Sequence, residues 1–105
     1  MNCHSYNTFF EVIANKTRLK ILETLSKKPL SVSQICEKLE EEQSKISHNL
    51  KKLYDCNFLE VETKGKQRIY TLNKDTISPL MELVKKHIQY HCPKNCQCGG
   101  QKCKK

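Results

Sequence analysis

The chain has 105 residues, a length that holds one domain with a core of its own. Its hydrophobic content of 37% fits a globular chain, no apolar run approaches a membrane span, and the opening MNCHSYNTFF lacks an export signal's basic and apolar regions; a cytoplasmic protein without a membrane partner is expected. A net charge of +8 points toward a polyanion such as nucleic acid, and seven cysteines, an odd number, read as thiols or metal ligands rather than a disulfide framework.

In chain order, the T-x-x-E spacing of Thr8 and Glu11 predicts a capped helix start around Phe9, Phe10, Val12 and Ile13. Asn15 is a cap for a second helix, in which Leu19, Ile21, Leu22 and Leu25 recur at helical spacing before Pro29 ends it. Ser31 and Gln34 form an S-x-x-Q box ahead of Val32, Ile35 and Leu39, a short third helix. Glu40, Glu41 and Glu42 make a polar turn. A fourth helix follows over 43–55, with Ile46, Leu50, Leu53 and Tyr54 on one face. The period then changes to two. Leu59, Val61 and Thr63 alternate with Glu60, Glu62 and Lys64, and the alternation resumes over 68–72 beyond a turn at Gly65, which predicts a β-hairpin. Ser78 as a cap, with Pro79 at the first helical position, starts a last helix running to about residue 90. This order, ααααββα, is mainly α with a two-stranded β-wing: a winged helix-turn-helix. Residues 1–91 form that domain, and 92–105 read as a flexible tail rich in cysteine and lysine.

The third and fourth helices have the lengths and tight turn of a helix-turn-helix, whose second member enters the major groove. With Ile46, Leu50 and Leu53 inward, the outer face presents Gln43, Ser44, Lys45, Ser47, His48, Asn49, Lys51 and Lys52. Gln and Asn pair bidentately with adenine, Ser donates or accepts, and Lys suits phosphates. The wing adds Lys64, Lys66 and Arg68 beside its glycine turn, suited to phosphates or a neighbouring minor groove.

The stretches NKTRLKILETL at 15–25, SQICEKL at 33–39, QSKISHNL at 43–50 and KGKQRIYTL at 64–72 resemble the ArsR/SmtB family of metal-responsive repressors. The resemblance covers roughly residues 8–91; Asn49 stands where that family often has histidine. It implies a homodimer formed through the first and last helices, bound to double-stranded DNA at an imperfect palindromic operator and released by metal. Two readings of the residues agree. Twofold protein symmetry matches a palindromic site. In addition, Leu80, Met81, Leu83, Val84 and Ile88 give the last helix more apolar surface than a monomer's outer helix needs.

The family's common thiolate pair lies at the start of the third helix. Here Ser31 and Ser33 occupy those positions, and serine is a poor ligand for soft metals, so that site is absent. Cys36 and Cys56 read as small buried hydrophobes. The family's other site uses carboxylates and histidines on the last helix. His87 and His91 share one helix face, but the carboxylate half is broken because Ile77 stands two residues after Asp75, and the pair reads first as interface histidines.

The remaining candidate is the tail. Cys92, Cys96, Cys98 and Cys103 bring four thiols into a short span, with Cys3 and His4 as further donors. Three thiolates suit As(III) or Sb(III), and four suit tetrahedral Zn(II) or Cd(II). Lys94, Lys102, Lys104 and Lys105 favour the thiolate form. The expected protein is a metal- or metalloid-responsive transcriptional repressor with its inducer site in the tail. A thiol redox switch on the same scaffold and a metal-storage module without specific DNA binding are the alternatives. No phosphate loop and no nucleophile with a base and orienting partner is found, so an enzyme is not expected.

Overall fold

The computed structural model describes residues 5–91, in the order α1 (Tyr6–Ile13), α2 (Lys16–Leu25), β1 (Leu30–Ser31), α3 (Val32–Leu39), α4 (Gln43–Asp55), β2 (Leu59–Lys64), β3 (Gln67–Leu72) and α5 (Ile77–His91). Two of the helix starts follow the expected caps. Asn15 Oδ1 accepts from the Arg18 N–H at 3.0 Å, and Ser31 and Gln34 make both bonds of a capping box. The first helix begins earlier than Thr8: Ser5 is its cap, with Oγ accepting from the Thr8 N–H at 3.1 Å, so Thr8 lies inside the first turn. The last helix also begins early, at Ile77. Asn73 Oδ1 accepts from the Asp75 N–H at 2.8 Å just ahead of it. Pro79 is therefore the third helical residue rather than the first, where its missing donor is still one of those without an intrahelical partner.

The hairpin closes through Gly65 and Lys66, with Lys64 opposite Gln67. Gly65 has φ +63°, a left-handed conformation that glycine adopts without a Cβ clash. A third strand joins the wing. The two residues of β1 pair antiparallel with β3, Leu30 opposite Tyr70 and Ser31 opposite Ile69, giving the strand order β1-β3-β2. A two-residue strand is too short to show a period in the sequence. It ties the base of the wing to the start of α3.

One core holds these elements together. Ile21, Leu22 and Leu25 of α2, Ile35 of α3, and Ile46, Leu50 and Leu53 of α4 are buried with Phe58, Leu59 and Leu72. Burying each such side chain is worth about 1.5–3 kcal/mol. Phe9 of α1 stacks on Phe58 with ring centroids 5.0 Å apart. The last helix touches this core only near its start, through Ile77, Leu80 and Met81. Beyond them Leu83, Val84 and Ile88 are 63%, 42% and 53% exposed, and Tyr6 and Phe10 of α1 are also exposed. Among the described residues no helix is long and apolar enough to cross a membrane.

Candidate nucleic-acid interface

The two helices of the helix-turn-helix meet at Glu40, which ends α3 in a left-handed conformation, φ 55° and ψ 50°, with its N–H bonded to Cys36 O. Glu42 precedes α4 without a side-chain cap bond, and instead its Oε1 accepts from Ser44 Oγ at 3.3 Å. Ile46, Leu50 and Leu53 then face the core, while Gln43, Ser44, Lys45, Ser47, His48 and Lys51 are exposed and Lys52 is half-buried.

Asn49 departs from the expected outer face. It is only 9% exposed, and its Nδ2 donates to Lys45 O at 2.9 Å, one turn back. At 3.6 residues per turn Asn49 sits about 60° from Ile46, inside the buried stripe, whereas Tyr54 sits about 80° away on the other side. Tyr54 accordingly leaves the core face on which the sequence placed it and is 46% exposed. The helical arithmetic carried both signals.

The electrostatics of α4 are mixed. Lys45 Nζ lies 3.2 Å from Glu41 Oε1, and Lys51 Nζ lies 3.2 Å from Asp55 Oδ2. On the wing Lys64, Lys66 and Arg68 are exposed, and among the described residues none of them has an acidic partner. Helix and wing converge on one open cleft of about 620 Å³. Ser47, Lys51, Tyr54 and Asp55 form its α4 side, with Thr63, Arg68 and Tyr70 on the wing side. The cleft thus unites Ser47, Lys51 and Arg68; Gln43, Ser44, Lys45, His48 and Lys66 lie outside it. Thr63 and Asp55 are not among the contact residues expected from the sequence, and Tyr54 was expected on the core face. Ser47, Tyr54, Lys51 and Asp55 nonetheless fall along one side of a helical wheel, between about 80° and 180° from Ile46.

Residues 15–61, from the cap of α2 into β2, match the family model for bacterial regulatory proteins of the arsR family. The arsenical resistance operon repressor of Bacillus subtilis (strain 168) is 35% identical over 77 residues, 72% of this chain and 73% of its own length. This chain belongs to the arsR family. A second arsenical resistance operon repressor, from Staphylococcus xylosus, is 26% identical over 94% of this ArsR-family chain and 98% of its own length. Among solved structures, the homodimeric winged helix-turn-helix DNA-binding domain of a possible ArsR-family regulator from Mycobacterium bovis superposes with a TM-score of 0.68. It is 25% identical, over 72% of this chain and 70% of that one. As an ArsR-family protein the chain is a DNA-binding transcriptional repressor with a winged helix-turn-helix, and not an enzyme.

The ArsR-family chain offers few metal donors among its described residues. Ser31 is buried and serves as the cap of α3, and Ser33 is exposed; neither carries a thiol. Cys36 and Cys56 are half-buried and pack against the core. His87 and His91 are exposed on α5 with ring centroids 4.9 Å apart. Among the described residues no group of three or more His, Cys, Asp or Glu side chains could hold a metal ion. Cys3, His4, Cys92, Cys96, Cys98 and Cys103 lie outside the described residues.

Proposed function

We infer that this repressor answers to a thiophilic metalloid or metal and leaves its operator when the ion binds the cysteines at 92–103. What carries this reading is the likeness to an arsenical resistance operon repressor, 35% identical, in a chain with four closely spaced cysteines of its own. Trivalent arsenic fits such donors. As(OH)₃ takes three thiols, forms three As–S bonds and releases three waters, with each thiol proton leaving on a hydroxide oxygen. Sb(III) reacts in the same sense, and Cd(II) or Zn(II) would take all four thiolates. Residues 1–91 act as the DNA-binding and dimerisation unit, and 92–105 as the sensing tail.

The repressor binds duplex DNA as a homodimer. The exposed apolar residues of α1 and α5 support that arrangement, since Phe10, Leu83, Val84 and Ile88 are between 42% and 63% exposed. Two reading helices related by a twofold axis match an imperfect palindrome. On each protomer the outer side chains of α4 read bases from the major groove, and Lys66 and Arg68 of the wing hold phosphates. An ion bound just beyond α5 changes how the two reading heads are spaced. Allosteric coupling of this kind weakens binding about 5- to 150-fold.

The test is fluorescence anisotropy on duplex DNA from the protein's own promoter, kept anaerobic, with As(III), Sb(III), Cd(II) and Zn(II) added in turn. Tight binding lost with one ion supports the proposal and names the inducer. Binding indifferent to every ion but lost on peroxide would replace it with a redox switch. No preference for promoter DNA would remove the operator reading.

A further inference from the structure

The cleft between α4 and the wing holds two cations brought together from distant parts of the chain, and one of them is already engaged. Lys51 is bound to Asp55 at 3.2 Å, with side chains 76% and 38% exposed. Arg68, across the cleft, has no acidic partner among the described residues. Ser47 and Thr63 add hydroxyl donors from the helix and the wing. Such a set suits a tetrahedral anion: a guanidinium, an ammonium and two hydroxyls on opposite walls of an open groove. Asp55 is the one residue of the lining that opposes it. The carboxylate neutralises Lys51 and repels any anion that enters.

We propose that this cleft seats one backbone phosphate of the duplex, in the strand that passes between the major groove read by α4 and the neighbouring groove touched by the wing, and that Asp55 is a latch on the site. This rests on the DNA-binding reading above and names a positioning contact within it. In the free protein Lys51 is held by Asp55. On DNA the phosphate takes Asp55's place, and Lys51 and Arg68 close on it from both sides. An exposed ion pair is weak and its lysine readily changes partner, so the exchange has little intrinsic barrier. The latch lowers affinity for every sequence alike, because a phosphate contact carries no base information. It therefore sets how easily the repressor is released rather than where it binds.

The experiment measures affinity for promoter and scrambled duplexes against salt concentration, for the full chain and for Lys51→Ala, Arg68→Ala, Asp55→Asn and the double variant Lys51→Ala/Asp55→Asn. Thermal melts of each variant check folding, and Lys27→Ala, away from the cleft, is the control. Lys51→Ala and Arg68→Ala are each expected to flatten the plot of log K against log salt by up to about one unit per protomer, or about two for a bound dimer, because the two cations share one phosphate. Asp55→Asn is expected to tighten both duplexes by roughly 3- to 10-fold, of the order expected for one charge contact. In the Lys51→Ala background that gain should shrink by more than half.

An Asp55→Asn gain that survives intact without Lys51 would overturn the latch, leaving only general charge repulsion. Unchanged slopes in Lys51→Ala and Arg68→Ala, with wild type binding normally, would overturn the phosphate seat. If the wild type binds no duplex at all, the DNA-binding reading itself fails, and the two failures stay distinct.

Discussion

Ser31 and Gln34 each satisfy the other's backbone: the Gln34 N–H donates to Ser31 Oγ at 3.3 Å, and the Ser31 N–H donates to Gln34 Oε1 at 2.9 Å. The same Ser31 pairs with Ile69 of β3. One buried residue thus starts the first helix of the helix-turn-helix and anchors the wing beside it, which sets the mouth of the cleft. Ser31→Ala removes the cap and is expected to lower stability by about 1 kcal/mol. For a domain of this size the thermal midpoint should fall roughly 4–8 °C, read by circular dichroism.

Glu40 carries a Cβ in a conformation that suits glycine. Glu40→Gly relieves that strain, at some cost in unfolded-chain entropy. A net gain of about 0.5–1 kcal/mol is expected, seen as a higher urea midpoint with an unchanged slope. A lower midpoint would mean that the glutamate side chain contributes more than its backbone strain removes.

Asn49 bonds inward to Lys45 O, so it should matter for folding more than for reading DNA. Asn49→Ala is expected to cost about 1 kcal/mol of stability while leaving the promoter-to-scrambled affinity ratio within about twofold. Gln43→Ala and His48→Ala, on the exposed face, should leave stability within about 0.5 kcal/mol and reduce that ratio instead.

Val84 and Ile88 are exposed on the far part of α5. Placing charge there, as Val84→Glu with Ile88→Glu, should spare the fold of the single chain and abolish self-association in sedimentation. Affinity for a palindromic duplex should then drop on the order of 100-fold or more, because the two reading heads no longer bind as one unit. A dimer that persists would place the interface elsewhere.

Cys96→Ser with Cys98→Ser should leave operator affinity unchanged and remove release by As(III) in the anisotropy assay. His87→Ala with His91→Ala should leave that release intact. The reverse pattern would move the inducer site onto α5.

Much of this fold was readable because its signals are local. Asn15 and the Ser31–Gln34 box cap helices through bonds three residues long, and Ile46, Leu50 and Leu53 repeat at the helical period. Gly65 marked the hairpin through a backbone conformation that one residue decides. The misplaced starts share a cause. Thr8 and Ser78 are good cap residues by type, but Ser5 makes the capping bond at the first site and Asn73 binds the backbone ahead of the second. Asn49 is polar, which suggests the outer face, but its angle on α4 puts it in the buried stripe.

By itself, then, the sequence determined the helices and the hairpin, the polar face of α4, the basic wing and the family, since periodicity, caps and motifs act within a few residues along the chain. Only the tertiary structure decided that β1 would add a third strand at the wing's base and that Arg68 would face α4 across a cleft, whereas the Lys51–Asp55 pair is a local i, i+4 contact along one helix. The two tertiary relations join β1 to β3 and α4 to β3, segments that have no local reason to meet. They are imposed by burying Leu53, Phe58, Leu59 and Leu72 in one core, which holds the wing against the reading helix.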